Sequence, residues 1–271
     1  MQNSIKPIIE KEKNNEFGKR PSISIIVAVF NGAQTLQRAI DSVSNQVYPY
    51  KELIIIDGAS SDGTLEVIKK NLGRIDYWVS EKDAGIHHAW NKAIQVSKGE
   101  WLYFLGADDA LNNKNVLSEF RDICEDVDNQ LIYGQVMVMT KDWVTKTIMD
   151  RDWRGIKTKF LNSENRIPHQ ATFHHRNLFH KYGRFDESLK IAGDYDFLLR
   201  CYLNGEEPYY VEKYLVSNIM EGGMSNNYAV MLNTFLEFGK IRKKHKLKIY
   251  SLRYIWLLCK GTFYKLLSYV T

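Results

Sequence analysis

Four short apolar runs dominate the chain up to Leu105: Ser22 to Val29, Leu53 to Ile56, Tyr77 to Val79 and Trp101 to Leu105. Each is apolar at nearly every position, without the alternation of a half-exposed strand, so they predict strands buried on both faces of a sheet. The segments between them repeat their apolar residues at helical spacing. Thr35 to Asn45 places Leu36, Ala39, Ile40 and Val43 on one face, a second helix is expected from about Thr64 to Leu72, and residues 85–97 carry Ala89, Ala93 and Val96. This β-α-β-α-β-α-β alternation predicts an α/β fold, with a Rossmann-like, mostly parallel sheet flanked by helices. The second half is more mixed. Leu131 to Thr140 and Trp143 to Ile148 read as paired strands, and Ile167 to His174 as strand or extended chain. Tyr195 to Leu203 reads as a helix burying Phe197, Leu198 and Tyr202, and Tyr209 to Val216 as a further strand.

Two of the buried strands end in acid. Leu53–Ile56 runs into Asp57-Gly58-Ala59-Ser60-Ser61-Asp62-Gly63-Thr64, and Trp101–Leu105 into Gly106-Ala107-Asp108-Asp109. Open α/β sheets bind ligands at the carboxyl ends of their strands. One carboxylate there can accept from a base or ribose, and an adjacent pair can hold a hard divalent cation against a diphosphate. Asp-Gly and Ser-Asp-Gly are also ordinary turn sequences. Asp108-Asp109 is less easily read that way, because neighbouring carboxylates repel and a cation would relieve the repulsion.

Charge divides the chain unevenly. Its 271 residues carry a formal net charge of +5, yet no acidic residue follows Glu237, and nine of the 37 basic residues do, leaving 28 against 32 acidic ones before that point. Residues 240–248 are strongly basic, and Ile249, Tyr250, Trp256, Leu257 and Leu258 follow, interrupted by Arg253, Lys260 and Lys265. Basic residues beside aromatic and aliphatic ones suit an interfacial helix on anionic lipid; a helix packed on the body with a solvated basic face is the alternative. Nucleic acid fits less well, since the basic cluster is confined to one terminal segment. Cys124, Cys201 and Cys259 show neither metal-ligand spacing nor a disulfide framework, the polar stretch 1–20 has no signal-peptide core, and no segment reaches membrane-spanning length. The expectation is a cytoplasmic protein, peripherally attached to the inner face of the membrane. It would comprise a flexible leader (1–20), a catalytic domain (21–225) and a basic helical tail (226–271).

Several motifs, each weak alone, occur together in one order: Val27-Ala28-Val29-Phe30-Asn31, the Asp57–Thr64 segment, Glu81-Lys82-Asp83-Ala84-Gly85-Ile86, Ala89-Trp90-Asn91-Lys92, Gly99 to Asp109, and Gly193-Asp194-Tyr195-Asp196. From about Ser22 to Ser225 the chain resembles inverting family 2 glycosyltransferases of the GT-A fold. The resemblance implies that Ala28, Phe30 and Asn31 border a nucleotide and that Asp57 accepts from a uracil ring. It implies that Lys82, Asp83 and Asn91 lie near the donor diphosphate and sugar, and that Asp108 holds Mn²⁺ or Mg²⁺ with Asp109 assisting or positioning the donor. His169, in Pro168-His169-Gln170, would contact diphosphate or metal, or else be structural. Asp194 would be the catalytic base, and Gly222-Gly223-Met224-Ser225 a closing loop or a plain turn. Asp62 and Asp196 read as capping or salt-bridging residues, and His87-His88 and His174-His175 as structural. The chain departs from the family pattern at three places, where Gly58, Gly106 and Gly193 stand for acidic residues.

The implied reaction is a single displacement. Asp194 takes the proton from an acceptor hydroxyl, which attacks the anomeric carbon of a UDP-sugar with inversion. The basic tail points to a saccharide acceptor carried on polyprenyl diphosphate, as in O-antigen, capsule or related surface polysaccharide; pairing of two copies is compatible with this. Two other readings stay open: a nucleotidyltransferase, for which Phe30-Asn31-Gly32-Ala33 offers no basic phosphate loop, and a non-catalytic nucleotide-sugar or carbohydrate-binding protein with a decayed site.

Overall fold

The computed structural model describes residues 22–162, 167–221 and 228–247. The leader, the Gly222–Ser225 loop and residues 248–271 of the tail lie outside the described residues.

The expected alternation is present in the first half: β1 (Ile23–Val29), α1 (Leu36–Ser44), β2 (Lys51–Asp57), α2 (Thr64–Lys70), β3 (Tyr77–Ser80), α3 (Ile86–Val96) and β4 (Trp101–Gly106). The second half adds β5 (Ala110–Leu111), α4 (Val116–Asp126), β6 (Leu131–Met139), β7 (Thr145–Met149), α5 (Trp153–Leu161), β8 (Thr172–His175), α6 (Arg176–Tyr182), α7 (Gly193–Leu203), β9 (Tyr209–Met220) and α8 (Tyr228–Lys244). One sheet runs β3-β2-β1-β4-β8-β6-β9-β5, with β7 hung on β6. Its β3-β2-β1-β4 half is parallel, whereas β8 joins β4 and β6 antiparallel.

The uniformly apolar strands feed two cores because alternate residues point to opposite faces. On β2, Ile54 and Ile56 pack with α3, α5, α6, α7 and α8 on one side. Leu53 and Ile55 pack with α1 and α4 on the other. Helix α1 buries Leu36, Ala39, Ile40 and Val43, the face its spacing predicts.

Register brings the strand ends level. Asp57 lies opposite Val29 and Ser80, and Ala28 opposite Gly106, so the β1, β2, β3 and β4 ends form one edge. Helix α8 packs on the same body through buried Phe235, Phe238 and Ile241. Among the described residues no helix is long and apolar enough to cross a membrane.

Candidate active site

The carboxyl edge is stitched together by side chains that cap backbone groups in the loops. Asn31, at positive φ, donates its N–H to Ser60 Oγ (2.7 Å) and accepts from Ser61 N–H (3.0 Å). Gly32 N–H reaches Thr64 Oγ1, and Ala33 N–H reaches Asp62 Oδ2. Asp62 also accepts from the Thr64 N–H and hydroxyl at the start of α2; the cap position itself is Gly63, so Asp62 closes the turn from one residue outside it, and these bonds hold its carboxyl below the usual range. The β1 and β2 loops thus form one platform, from which Phe30 projects its ring, 67% exposed, beside half-buried Ala28.

Asp57 is fully buried. Its carboxylate accepts from Ser80 Oγ, Ser60 Oγ and Ser60 N–H. For it to meet a base, Ser60 must turn aside. The Asp57-x-x-Ser60 spacing, typical of a side chain closing its own turn, was the signal for this contact.

Asp83 and Phe30 border the place of Gly58 at ordinary contact distance. A Cβ at position 58 would lie 3.4 Å from both Asp83 Oδ2 and the Phe30 ring. Asp83 is paired with Lys92 Nζ at 2.6 Å, and Lys92 also meets Glu81 at 3.0 Å. Burial opposes the Lys92 charge, but the two carboxylates outweigh it and hold the ammonium above the usual lysine range. Lys82 beside it is exposed.

At the end of β4 the carboxylates converge on the gap where Gly106 has no side chain. A Cβ there would lie 2.3 Å from Asp109 Oδ2 and 3.0 Å from Asp108 Oδ1. Asp109 is buried and accepts from Met220 N–H; Asp108 is exposed. Burial, and then Asp108 beside it, push the Asp109 carboxyl up to about 7. Among the described residues no three acidic, histidine or cysteine side chains cluster as a ready-made metal site. The donor set still fits a hard cation: two carboxylates share one gap, repel each other, and leave most of an oxygen shell to diphosphate and water.

The α7 end of the site is set by His87. A Cβ on Gly193 would sit 2.5 Å from His87 Nε2, so the imidazole fills the space of any side chain at 193. His87 is buried, with Nδ1 2.7 Å from Leu189 O, and packs edge-on against Trp90. Asp194 follows in the first turn of α7, half-buried, accepting from Tyr195 N–H. Lys190 Nζ donates to Ala84 O at 2.7 Å, which ties the segment before α7 to the Asp83–Gly85 loop.

Two expected donor contacts have a different place in the structure. Asn91 is buried, and its amide is engaged by Phe185 O, Phe185 N–H and Glu187, so it anchors the loop ahead of α7. It points into the protein because α3 turns positions 89, 91, 93 and 94 inward. His169 is buried between Trp90 (4.7 Å between centroids) and the Phe104 ring, and neither ring nitrogen has a hydrogen-bond partner among the described residues. Burial, with His174 and His87 nearby, holds it well below the usual histidine range, so it is a neutral imidazole beneath the site. The basic stretch also differs in part from a free surface. Arg242 is buried and donates to Leu161 O, and Lys244 and His245 bond to buried Asp196, while Lys240, Lys243 and Lys246 are exposed.

The family description "Glycosyl transferase family 2" matches residues 24–183. The chain belongs to that family. A "PGL/p-HBAD biosynthesis glycosyltransferase" of Mycobacterium tuberculosis is 33% identical over 214 residues, 76% of this chain and 80% of the relative. An uncharacterized glycosyltransferase of Rickettsia typhi is 29% identical, covering 78% of this chain and 67% of its own length. Among solved structures, Staphylococcus aureus TarS 1–349 in complex with UDP-GlcNAc matches with a TM-score of 0.65 at 16% identity, covering 89% of this chain and 71% of that one. The mannosyltransferase PcManGT of Pyrobaculum calidifontis, in complex with GDP-Man and Mn²⁺, matches at 0.62 and 17%, covering 91% and 74%. These two likenesses establish the GT-A fold. The family 2 transferase is therefore an enzyme that moves sugar from a nucleotide-sugar, and the nucleotidyltransferase reading is set aside.

Proposed function

We propose that this transferase is a metal-dependent inverting enzyme that uses a UDP-sugar and an acceptor saccharide carried on polyprenyl diphosphate, in surface polysaccharide synthesis. The observation that carries the reading is convergence at one sheet edge. The Phe30–Asn31 platform, the Asp108-Asp109 pair and, through the Gly193–His87 contact, the Asp194 turn all lie at the carboxyl end of the parallel strands. The β1 and β2 loops hold the nucleoside, with Phe30 offering a ring face and Asp57 a carboxylate once Ser60 moves. Lys82 and Asp83 border the diphosphate and donor sugar. Asp108 and Asp109 would hold Mn²⁺ or Mg²⁺, which when bound supplies electrostatic stabilisation of the departing diphosphate. Asp194 accepts the proton of the acceptor hydroxyl while its oxygen bonds to the anomeric carbon and the bond to UDP breaks. His169, as a neutral imidazole under Trp90, supports the floor of the site.

The gaps at Gly106 and Gly193 speak against a decayed site, because each is occupied by a polar group of the same site, Asp109 and His87, whereas a side chain at Gly58 would meet only ordinary contacts. Membrane attachment rests on the composition of residues 248–271, together with exposed Lys240, Lys243 and Lys246. A screen of UDP-, GDP- and dTDP-sugars for hydrolysis, with Mn²⁺ and with EDTA, tests the reading. Metal-dependent turnover of a UDP-sugar supports it. UDP binding without turnover in metal returns the decayed-site reading. Flotation with anionic vesicles, lost when residues 248–271 are deleted, tests attachment.

A further inference from the structure

The last acidic residue of the chain, Glu237, lies in α8 just ahead of the basic run that opens at Lys240. Glu237 is buried, and its carboxylate accepts from three successive backbone N–H groups: Lys190 at 2.7 Å, Ile191 at 3.0 Å and Ala192 at 2.8 Å. These residues lead directly into α7, where Ala192 is the N-cap and Asp194 stands in the first turn. A carboxylate accepting several backbone donors in a buried setting makes strong, geometrically selective bonds. Two turns further along α8, Lys244 Nζ and His245 Nε2 reach Asp196 at 3.0 and 2.9 Å. Burial by itself would raise the Asp196 carboxyl, but these bonds win and lower it. Between the two grips the Phe238 ring meets the Tyr195 ring at 5.0 Å between centroids. Positions 192, 195 and 196 are all held by α8, and half-exposed Asp194 lies between them.

We infer that α8 is a clamp on the turn carrying the base, and that Glu237 is the positioning residue that fixes where Asp194 presents its carboxylate to the acceptor. The inference rests on the reading of Asp194 as the base and extends it to a residue 43 positions away that does not line the site. General-base catalysis is steep in geometry: a displacement of about 1 Å can cost about 10²-fold in rate. Glu237→Gln keeps the size but puts an N–H₂ where an acceptor oxygen stands, and Glu237→Asp keeps the charge but shortens the reach.

The test uses the full-length protein and UDP release from the nucleotide-sugar that the wild type turns over. Glu237→Gln should lower kcat by about 10- to 100-fold with donor KM within about twofold. Glu237→Asp should fall between it and the wild type. Placed on Asp194→Asn, Glu237→Gln should cause no further loss, because it acts through that carboxylate. In the wild type itself, amide exchange at Lys190, Ile191 and Ala192 should be slow, and in Glu237→Gln it should accelerate. The clamp is overturned if Asp194→Asn is inactive while Glu237→Gln keeps its kcat, if the two losses multiply, or if the wild-type amides at 190–192 exchange freely. An active Asp194→Asn overturns the base assignment and the clamp with it, and that single variant tells the two failures apart. Should Glu237→Gln not fold, the wild-type exchange rates and Glu237→Asp still decide.

Discussion

Gly193→Ala probes how tightly the base turn is built. The new Cβ would lie 2.5 Å from His87 Nε2 and 2.7 Å from both Cδ2 and Cε1. That is about 1 Å inside the ordinary contact distance of about 3.5 Å. The imidazole has little room to retreat: Nδ1 is bonded to Leu189 O, and the ring packs against Trp90 at 5.3 Å and Phe185 at 5.9 Å. Overpacking of this kind costs about 1–3 kcal/mol, and replacing glycine by alanine in a helix returns about 0.5–1 kcal/mol. A net loss of about 1–2 kcal/mol corresponds to a fall in Tm of about 2–8 °C for a chain of this size. Because α7 must shift to relieve the contact, Asp194 shifts with it, and turnover should drop by up to about 10²-fold. Thermal melts and UDP release measure the two effects. In a double-mutant cycle, His87→Ala should recover much of the alanine's added cost, since the pair then no longer collides. A Gly193→Ala enzyme as stable and active as the wild type, or a cycle without coupling, refutes this account of the turn.

Three further outcomes are expected. Asp194→Asn should lose about 10²–10⁴-fold in transfer while calorimetry shows UDP binding retained; near-normal turnover rules out the base. Asp108→Ala should weaken metal-dependent UDP binding and remove most turnover, and a wild-type rate unaffected by EDTA contradicts the metal role. Asp109, pushed up to about 7 in the fold against about 3.9 when unfolded, keeps a proton that the unfolded chain has released. Its contribution therefore makes the metal-free protein lose stability as pH rises from about 4 to about 7. Melts in EDTA across that range should show a weaker decline in Asp109→Asn, and equal slopes in the two proteins would contradict the assignment.

The parallel half of the fold was legible because its strands are apolar on both faces and α1 carries a full stripe, although α2 buries only Thr64 and Ile68, and α3 buries Ile94 with the polar His87 and Asn91 while Val96 is half-buried. The second half was less so. Helix α4 buries only Val116, Leu117 and Phe120 in a run with five acidic or basic residues, and α6 is a single seven-residue stretch with His and Lys in its last turn. Both lack the wide stripe that announces a helix, as does α5, and β5 is two residues long and exists only through its pairing with β9. At the site, the acidic strand ends could be read directly, since strand and turn chemistry are local. Which way Asn91 faces, and how deeply His169 lies, depends on the packing of α3 against the loop at 185–187 and of His169 on Trp90 and Phe104. His87 filling the place of a side chain at 193, and Glu237 holding 190–192, are contacts between distant segments, and no local pattern announces them.

Single inverting displacement with Asp194 as the base can be read from the anomer of the sugar released from an α-linked UDP-sugar. Proton NMR during metal-supported hydrolysis, where water takes the acceptor's place, reads the first product before it mutarotates. The β-anomer should form first, and Asp194→Asn should abolish its formation. Initial release of the α-anomer, or the β-anomer at full rate from Asp194→Asn, would contradict this mechanism.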